Sequence, residues 1–216
     1  MTLTLHAHPL SSYCWKALIA FYEKAAEFEY HELDPGDPDA AARFAALWPM
    51  AKMPALVDDG RLIVETSIIV EYLDLKHPEP FLLIPEDREA ALEVRMLDRI
   101  FDNYLMTPMQ KIVFNRFCPA EARNAHDVMA ARQTIETAYD WLETRLRDRT
   151  WAAGEPFSLA DCAAAPSLHY AEKVQPMAQR FPWLADYLAR LETRPSFARV
   201  LKEAEPYAHM FPKGED

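Results

Sequence analysis

Glycine is scarce in this chain of 216 residues. It occurs only four times, at Gly36, Gly60, Gly154 and Gly214, which is about 2% of the residues where roughly 7% is usual. Phosphate-binding loops of the GxGxxG and GxxxxGKS/T types need several glycines close together. Because the glycines here are far apart, the sequence excludes nucleotide chemistry that depends on such a loop.

Basic residues and cysteines are also few. The chain has 23 Lys and Arg against 34 Asp and Glu, a formal net charge of −11, and such a surface repels phosphate backbones and anionic lipids. We therefore expect no nucleic-acid partner and no membrane partner. Cys14, Cys118 and Cys162 form no CxxC pair, and neither they nor the seven histidines have the spacing of metal ligands. No metal is expected.

Long apolar runs are missing as well. No stretch approaches the ~20 apolar residues that a membrane span needs. The N-terminal segment lacks the basic start and apolar core of a signal peptide. Single thiols suit a reducing cytosol, so we expect a cytoplasmic protein.

The first third of the chain alternates between strand and helix patterns. Short alternating segments predict strands, and apolar residues spaced i, i+3, i+4 and i+7 predict helices. In chain order we first predict a strand over Leu3–His6 and a helix from Ser11 whose inward residues are Trp15, Leu18, Ile19 and Tyr22. A strand over Phe28–Leu33 and a helix over Ala40–Leu47 follow. We then predict two strands within Pro54–Val64 around an Asp59-Gly60 turn, and a helix whose inward residues are Ile68, Ile69, Tyr72 and Leu73. The order is β-α-β-α-β-β-α.

The rest of the chain has the longer period of helices. We predict a helical segment over Glu86–Phe117 with a kink or break at Pro108, a second over Glu121–Arg149, and shorter helices separated by Pro156, Pro166, Pro182 and Pro195. The prolines that follow His77 end the preceding helix. The predicted architecture is a small α/β domain (residues 1–78), a linker (79–86) and an all-helical domain (87–216).

Three local patterns are candidates for chemistry. Ser11 and Ser12 lie where the first strand turns into a helix, whose N-terminus has unpaired N–H groups and a partial positive charge that stabilise a thiolate. Either hydroxyl can donate to such a sulfur, or it can simply cap the helix.

Met53-Pro54 precedes a strand of the edge type, where a cis bond would turn the backbone outward to pair with an extended peptide. Glu65-Thr66 begins the next helix and suits the ammonium and carboxylate of an α-amino acid.

In the predicted fold these three patterns share one side of a small sheet. They combine a thiolate donor, a peptide-pairing backbone and an α-amino-acid clamp. Glutathione has the three matching features in that order, so we expect it as the ligand and co-substrate.

Over nearly its whole length, the sequence resembles the cytosolic glutathione transferases. The family's cis-proline segment and hairpin are similar to residues 51–60 (AKMPALVDDG), and its Glu-Ser-x-Ala-Ile-x-x-Tyr-Leu stretch is similar to residues 65–73 (ETSIIVEYL). Its helix-capping box resembles residues 154–161 (GEPFSLAD), where Ser158 and Asp161 have a structural role. The segment SSYCWK from Ser11 has features of the serine-type zeta and theta classes.

The resemblance implies a thioredoxin-like first domain, an all-helical second domain and a homodimer. It implies that Ser11 is the catalytic thiolate donor, with Ser12 as second choice, and that Cys14 is a core thiol. It further implies that Asp102 approaches the glutathione amine across the dimer interface. The glutathione-binding residues that it implies are Ser11, Lys52, Met53, Pro54, Glu65 and Thr66.

The second substrate is expected to be a small hydrophobic electrophile that binds between the domains. Candidates for its pocket are Leu10, Phe101, Tyr104, Leu105, Met109 and Phe114, an apolar and aromatic set. The leading function is conjugation of glutathione to such electrophiles, a detoxification reaction. Two alternatives are left open: glutathione-dependent isomerisation (maleylacetoacetate type) or dehalogenation on the same fold, and a non-catalytic binding or interaction protein.

Overall fold

The fold begins with a mixed sheet and continues as a helical domain, as the sequence predicts. We describe residues 3–34 and 36–212 of a computed structural model. The sheet part consists of β1 (Leu3–Ala7), α1 (Ser12–Glu23), β2 (Glu29–Glu32), α2 (Pro38–Leu47), β3 (Ala55–Asp58), β4 (Arg61–Ile63) and α3 (Thr66–Lys76). The helical part consists of α4 (Arg88–Ile100), a π-helical turn (Phe101–Met106), α5 (Thr107–Phe117), α6 (Ala125–Arg145), α7 (Leu159–Val174), α8 (Pro182–Thr193) and α9 (Pro195–Ala204). Short 3₁₀ segments occupy 120–122, 178–180 and 205–210.

The four strands lie in the order β2-β1-β3-β4. Strand β1 is parallel to β2 and antiparallel to β3, and β3 is antiparallel to β4. Strand β3 is therefore an interior strand, so the prediction that Met53-Pro54 precedes an edge strand is wrong. Proline is tolerated there because Pro54 lies just before the strand, where no ladder bond needs its missing N–H group.

The register brings three chain segments to one end of the sheet. His6 near the end of β1 pairs with Ala55 at the start of β3, and Leu56 pairs with Ile63 at the end of β4. The end of β1, the start of β3 and the end of β4 thus lie side by side. Helices α1 and α3 both begin from this end and pack against each other.

The core runs without interruption from the sheet into the helical part. Helix α7 packs against α1, α4 and the π-helical turn, and thus joins the two parts. All of its residues from Leu159 to Leu168 are buried. A smaller cluster, made of Leu33, Phe44 and Ala55, lies between α2 and the other side of the sheet.

Two prolines do not break the helices in which they lie. Of the two alternatives predicted at Pro108, the break does not occur: the helix passes through the π-helical turn directly into α5, and Pro108 is the second residue of α5. Pro166 does not separate two helices but lies buried inside α7. The lost backbone bond to the Cys162 carbonyl is tolerated because the helix is buried on many sides and its packing stabilises it.

Two further details of the helices differ from the predictions. Ile68 is 51% exposed, whereas Ile69, Tyr72 and Leu73 are buried as expected. Helix α6 is shorter than predicted and begins after Asn124, whose Oδ1 accepts from the backbone N–H of the residue two positions later at 3.1 Å.

Candidate active site

A tightly bonded loop carries the chain from β1 into α1. The Ser11 N–H donates to the His8 carbonyl at 3.0 Å, and the Leu10 N–H donates to His8 Nδ1 at 3.1 Å. The Tyr170 hydroxyl of α7 donates to the Leu10 carbonyl at 2.9 Å. These bonds hold the loop that presents Ser11. Sequence patterns did not reveal Tyr170, since it lies 160 positions away from Leu10 in the chain.

The structure distinguishes the two candidate serines. Ser11 is the N-cap of α1, its side chain is partly exposed, and its Oγ accepts from the Cys14 N–H at 3.4 Å. Ser12 is 4% exposed, and its Oγ accepts from Gln110 Nε2 at 3.4 Å. Both are therefore bonded within the protein, and Ser11 is the more accessible one.

The neighbouring Tyr13 and Cys14 are poor sources of an ionised group. Burial raises the pKa of the Tyr13 hydroxyl to about 12, and the Asp102 carboxylate acts in the same direction. Cys14 is fully buried, and burial raises the pKa of its thiol to about 12. This agrees with the interpretation of Cys14 as a core thiol.

The Met53–Pro54 peptide bond is cis, as is Glu79–Pro80. Met53 is partly buried against both apolar clusters, Pro54 is buried, and Lys52 is exposed. The ladders of β3 with its two neighbours begin at Ala55 and Leu56. Met53 therefore lies beyond the paired part of the strand, at the end of the sheet where Ser11 lies.

Glu65 and Thr66 follow directly from β4 and open α3. Glu65 has φ 68° and ψ 115°, a backbone conformation that non-glycine residues rarely adopt, and its side chain makes no capping bond. Its side chain is exposed, whereas Thr66 is 8% exposed. Unusual backbone conformations of this kind concentrate at functional sites.

The proposed pocket residues separate into two groups. Phe101, Leu105 and Met109 lie in the common core and are 0%, 0% and 3% exposed, so their side chains fill the interior. Leu10 is partly buried, whereas Tyr104 and Phe114 are 53% and 60% exposed. The accessible members of the set are therefore Leu10, Tyr104 and Phe114.

Asp102 lies at the start of the π-helical turn and is 3% exposed. Its Oδ2 atom is 2.7 Å from Lys16 Nζ and 2.6 Å from Arg99 Nη2. Cations of its own chain thus occupy Oδ2, whereas Oδ1 is buried and has no hydrogen-bond partner among the described residues. Lys16 is a site neighbour that the sequence patterns did not single out, although a lysine among the mostly apolar residues of α1 was a visible signal.

Among residues 3–34 and 36–212, no group of three or more His, Cys, Asp or Glu side chains is arranged to hold a metal ion. Over the same residues, none of the helices has both the length and the apolar character needed to cross a bilayer.

Comparison with known proteins gives this geometry its context. Residues 5–81 match the family model "Glutathione S-transferase, N-terminal domain", and residues 105–195 match "Glutathione S-transferase, C-terminal domain". A probable maleylacetoacetate isomerase of Vibrio cholerae is 28% identical, over 96% of this chain and 99% of the relative. A stringent starvation protein A homolog of Coxiella burnetii is 28% identical, over 94% of this chain and 93% of the relative.

Solved structures agree with the sequence matches. A glutathione S-transferase from Methylobacillus flagellatus, crystallised with glutathione bound, superposes with a TM-score of 0.83 at 27% identity, over 92% of this chain and 98% of that one. With both domain models matched in the right order and the same fold throughout, this chain belongs to the glutathione S-transferase family.

Proposed function

We propose that this enzyme conjugates the thiolate of glutathione to small hydrophobic electrophiles, and that Ser11 stabilises the thiolate. The observation that carries the proposal is the convergence of three segments at one end of the sheet. The register of β1, β3 and β4 brings together Ser11, Met53–Pro54 and Glu65–Thr66. These are the thiolate donor, the peptide-pairing backbone and the amino-acid clamp that a glutathione site requires.

The chemistry begins with loss of the thiol proton. A free cysteine thiol has a pKa near 8.5 and is mostly protonated at neutral pH. A hydrogen bond from Ser11 Oγ and the partial positive charge at the start of α1 both favour the thiolate. The thiol proton leaves to solvent, the sulfur forms a bond to the electrophilic carbon, and the leaving group departs with the electron pair of its bond.

The remaining residues hold the tripeptide. In this proposal the Met53 backbone pairs with the glutathione peptide, and the cis bond to Pro54 presents that backbone. Glu65 binds the ammonium of the γ-glutamyl end and Thr66 its carboxylate, with Lys52 available for a further carboxylate. An acidic protein with a net charge of −11 needs such local donors to hold an anionic ligand.

A second candidate function is glutathione-dependent isomerisation. The similarity to a probable maleylacetoacetate isomerase over almost the full length of both chains favours it. In that reaction the thiolate adds to a carbon–carbon double bond and is expelled again after rotation, so the site requirements around Ser11 are the same. The two functions differ in the electrophile, which the apolar set Leu10, Tyr104 and Phe114 would contact.

We also infer a homodimer in the cytoplasm, with a role in detoxification. Helices α3 and α4 are joined by a Glu71–Arg95 ion pair at 2.9 Å. Large apolar side chains stand exposed on these two helices: Ile68 (51%), Leu75 (75%), Leu92 (63%) and Met96 (40%). We infer that these side chains form one apolar patch of the kind that marks interfaces, and that a second copy of the chain covers it.

Calorimetric titration of the wild-type protein with glutathione tests the proposal first, since a protein that does not bind glutathione has neither enzymatic function. Ser11→Ala is then expected to lower kcat about a hundredfold, as loss of a catalytic hydrogen-bond donor does, and to raise the pKa of bound glutathione, measured by thiolate absorbance. The matched control Ser12→Ala removes the neighbouring buried hydroxyl and should change kcat less than about threefold.

The outcome can contradict the assignment in two ways. Undiminished turnover in Ser11→Ala, or a larger loss in Ser12→Ala, would show that Ser11 is not the donor. Rates with an aromatic halide and with a maleyl compound distinguish conjugation from isomerisation, because only the first substrate loses a leaving group.

A further inference from the structure

A fully buried ammonium group lies next to the proposed glutathione site. Lys16 is on α1, one turn after Ser12, and is 0% exposed. Its Nζ atom lies 2.5 Å from Asp98 Oδ1, 2.7 Å from Asp102 Oδ2 and 3.0 Å from Ser67 Oγ. A buried charge is tolerated only with such close partners, so the position of Lys16 is tightly determined.

The partners of Lys16 also bond to one another. The Ser67 hydroxyl donates to Asp98 Oδ2 at 2.8 Å, and Arg99 Nη2 lies 2.6 Å from both Asp98 Oδ2 and Asp102 Oδ2. Two cations therefore balance two carboxylates. The members come from α1, α3, α4 and the π-helical turn, so the network connects the starts of two site helices to the helical domain.

Ser67 connects this network to the proposed glutathione site. It is the second residue of α3, directly after Thr66 and two positions after Glu65. Glu65 has a positive φ and no side-chain cap, and a conformation of that kind persists only where the surroundings hold it. Before Glu65 the chain is held by the pairing of Ile63 with Leu56. After Glu65 it is held by Ser67, whose hydroxyl contacts Lys16 Nζ and Asp98 Oδ2 and also accepts from Arg99 Nη2.

We propose that Lys16 is a positioning residue for glutathione. Its ammonium, acting through Ser67, holds Glu65–Thr66 at a fixed place relative to the start of α1, so that the γ-glutamyl clamp and the thiolate donor fit one tripeptide. The inference rests on the proposed function, since it concerns the binding of the ligand proposed there. Lys16 itself does not touch the ligand.

The chain offers a matched control for this role on the same helix. Lys24, the C-cap directly after α1, is 4% exposed and forms an ion pair with Asp74 at 2.9 Å. Its Nζ also donates to the Pro78 carbonyl at 3.1 Å. Loss of Lys24 should destabilise the fold as loss of Lys16 does. Because Lys24 lies at the opposite end of α1 from Ser11, its loss should leave glutathione binding unchanged.

The experiment compares Lys16→Met with Lys24→Met. Both variants should melt at lower temperature than the wild-type protein, because Lys16→Met removes one of the two cations that pair with Asp98 and Asp102, and Lys24→Met removes the cation paired with Asp74. Only Lys16→Met should weaken the binding of S-methylglutathione, by about tenfold or more; this ligand lacks a free thiol and reports on the peptide anchors alone. In turnover, the KM for glutathione should rise more than kcat falls.

Ser67→Ala keeps the inference testable if Lys16→Met does not fold. It removes the hydroxyl link and leaves the ion pairs, and it should weaken S-methylglutathione binding several-fold. Hydrogen exchange of the backbone amides in residues 64–69 should be faster in both Lys16→Met and Ser67→Ala than in Lys24→Met, with or without ligand.

Equal binding by folded Lys16→Met and Lys24→Met, or unchanged exchange at residues 64–69, would overturn the inference even if the wild-type protein binds glutathione. A wild-type protein that fails to bind glutathione would instead overturn the proposed function, and with it the ligand part of this inference.

Discussion

Replacing Asp161 with alanine would test the capping box that anchors α7. Asp161 is 0% exposed and accepts four hydrogen bonds. Its Oδ2 accepts from Ser158 N and Oγ, each at 2.9 Å, and its Oδ1 accepts from Ala152 N at 2.8 Å and Tyr187 Oη at 2.6 Å. The carboxylate thus joins the start of α7 to the loop before it and to α8.

The expected loss follows from the donors that would be left behind. The two hydroxyls can rotate to other partners, but the two backbone N–H groups cannot, and each unsatisfied buried donor costs about 1–3 kcal/mol. These two groups together cost about 2–6 kcal/mol, and removing a buried carboxylate returns part of its desolvation cost. We expect Asp161→Ala to lower the free energy of unfolding by about 4 kcal/mol, which corresponds to a fall in Tm of roughly 8–16 °C in a chain of this size.

Urea unfolding followed by circular dichroism measures this loss, with an unchanged slope against urea as the sign that only stability has changed. Asp127 provides the control, since it occupies the same position in α6 but is exposed and accepts from Asn124 Nδ2 at 2.9 Å. Asp127→Ala should cost less than about 1 kcal/mol. If Asp161→Ala and Asp127→Ala lower the free energy of unfolding equally, burial of the Asp161 hydrogen bonds does not increase their contribution to stability.

Two further predictions concern pH and assembly. Burial, and next the neighbouring His31 ring at a centroid distance of 4.6 Å, lower the pKa of His6 from 6.5. The folded state therefore favours neutral His6, so the contribution of His6 to stability is present above pH 6.5 and is lost as the pH falls below it. In His6→Gln the free energy of unfolding should depend less on pH below 6.5. An unchanged pH dependence of the unfolding free energy in this variant would contradict the prediction. The double variant Leu75→Glu, Leu92→Glu should sediment as a monomer where the wild-type protein sediments as a dimer, and a monomeric wild-type protein at micromolar concentration would show that α3 and α4 are not the interface.

Local patterns predicted the secondary structure well because they record which side chains face the interior. The order of strands and helices in the first part, and the burial of Ile69, Tyr72 and Leu73 in α3, are as the periodicity indicates. The errors arose where packing outweighs a local preference. Pro166 stays inside α7 because burial of that helix stabilises it more than one lost backbone bond destabilises it.

The place of β3 between β1 and β4 illustrates a second limit. A proline before a strand suggests an edge, but strand order depends on which segments pair with one another. Pairing is decided by contacts between distant parts of the chain, and a single strand's pattern does not contain them.

The proposed site shows the same division. Short motifs were enough to nominate Ser11, Met53–Pro54 and Glu65–Thr66, because each depends on neighbours within a few residues: a helix start, an X-Pro bond, an acidic residue before a helix. Their meeting at one end of the sheet, and the contacts of Lys16 with Ser67 and Asp102 at 51 and 86 positions along the chain, depend on the tertiary structure. Hydrogen bonds and ion pairs act over a few ångströms of space whatever the distance along the chain, so only the folded arrangement decides which charges meet.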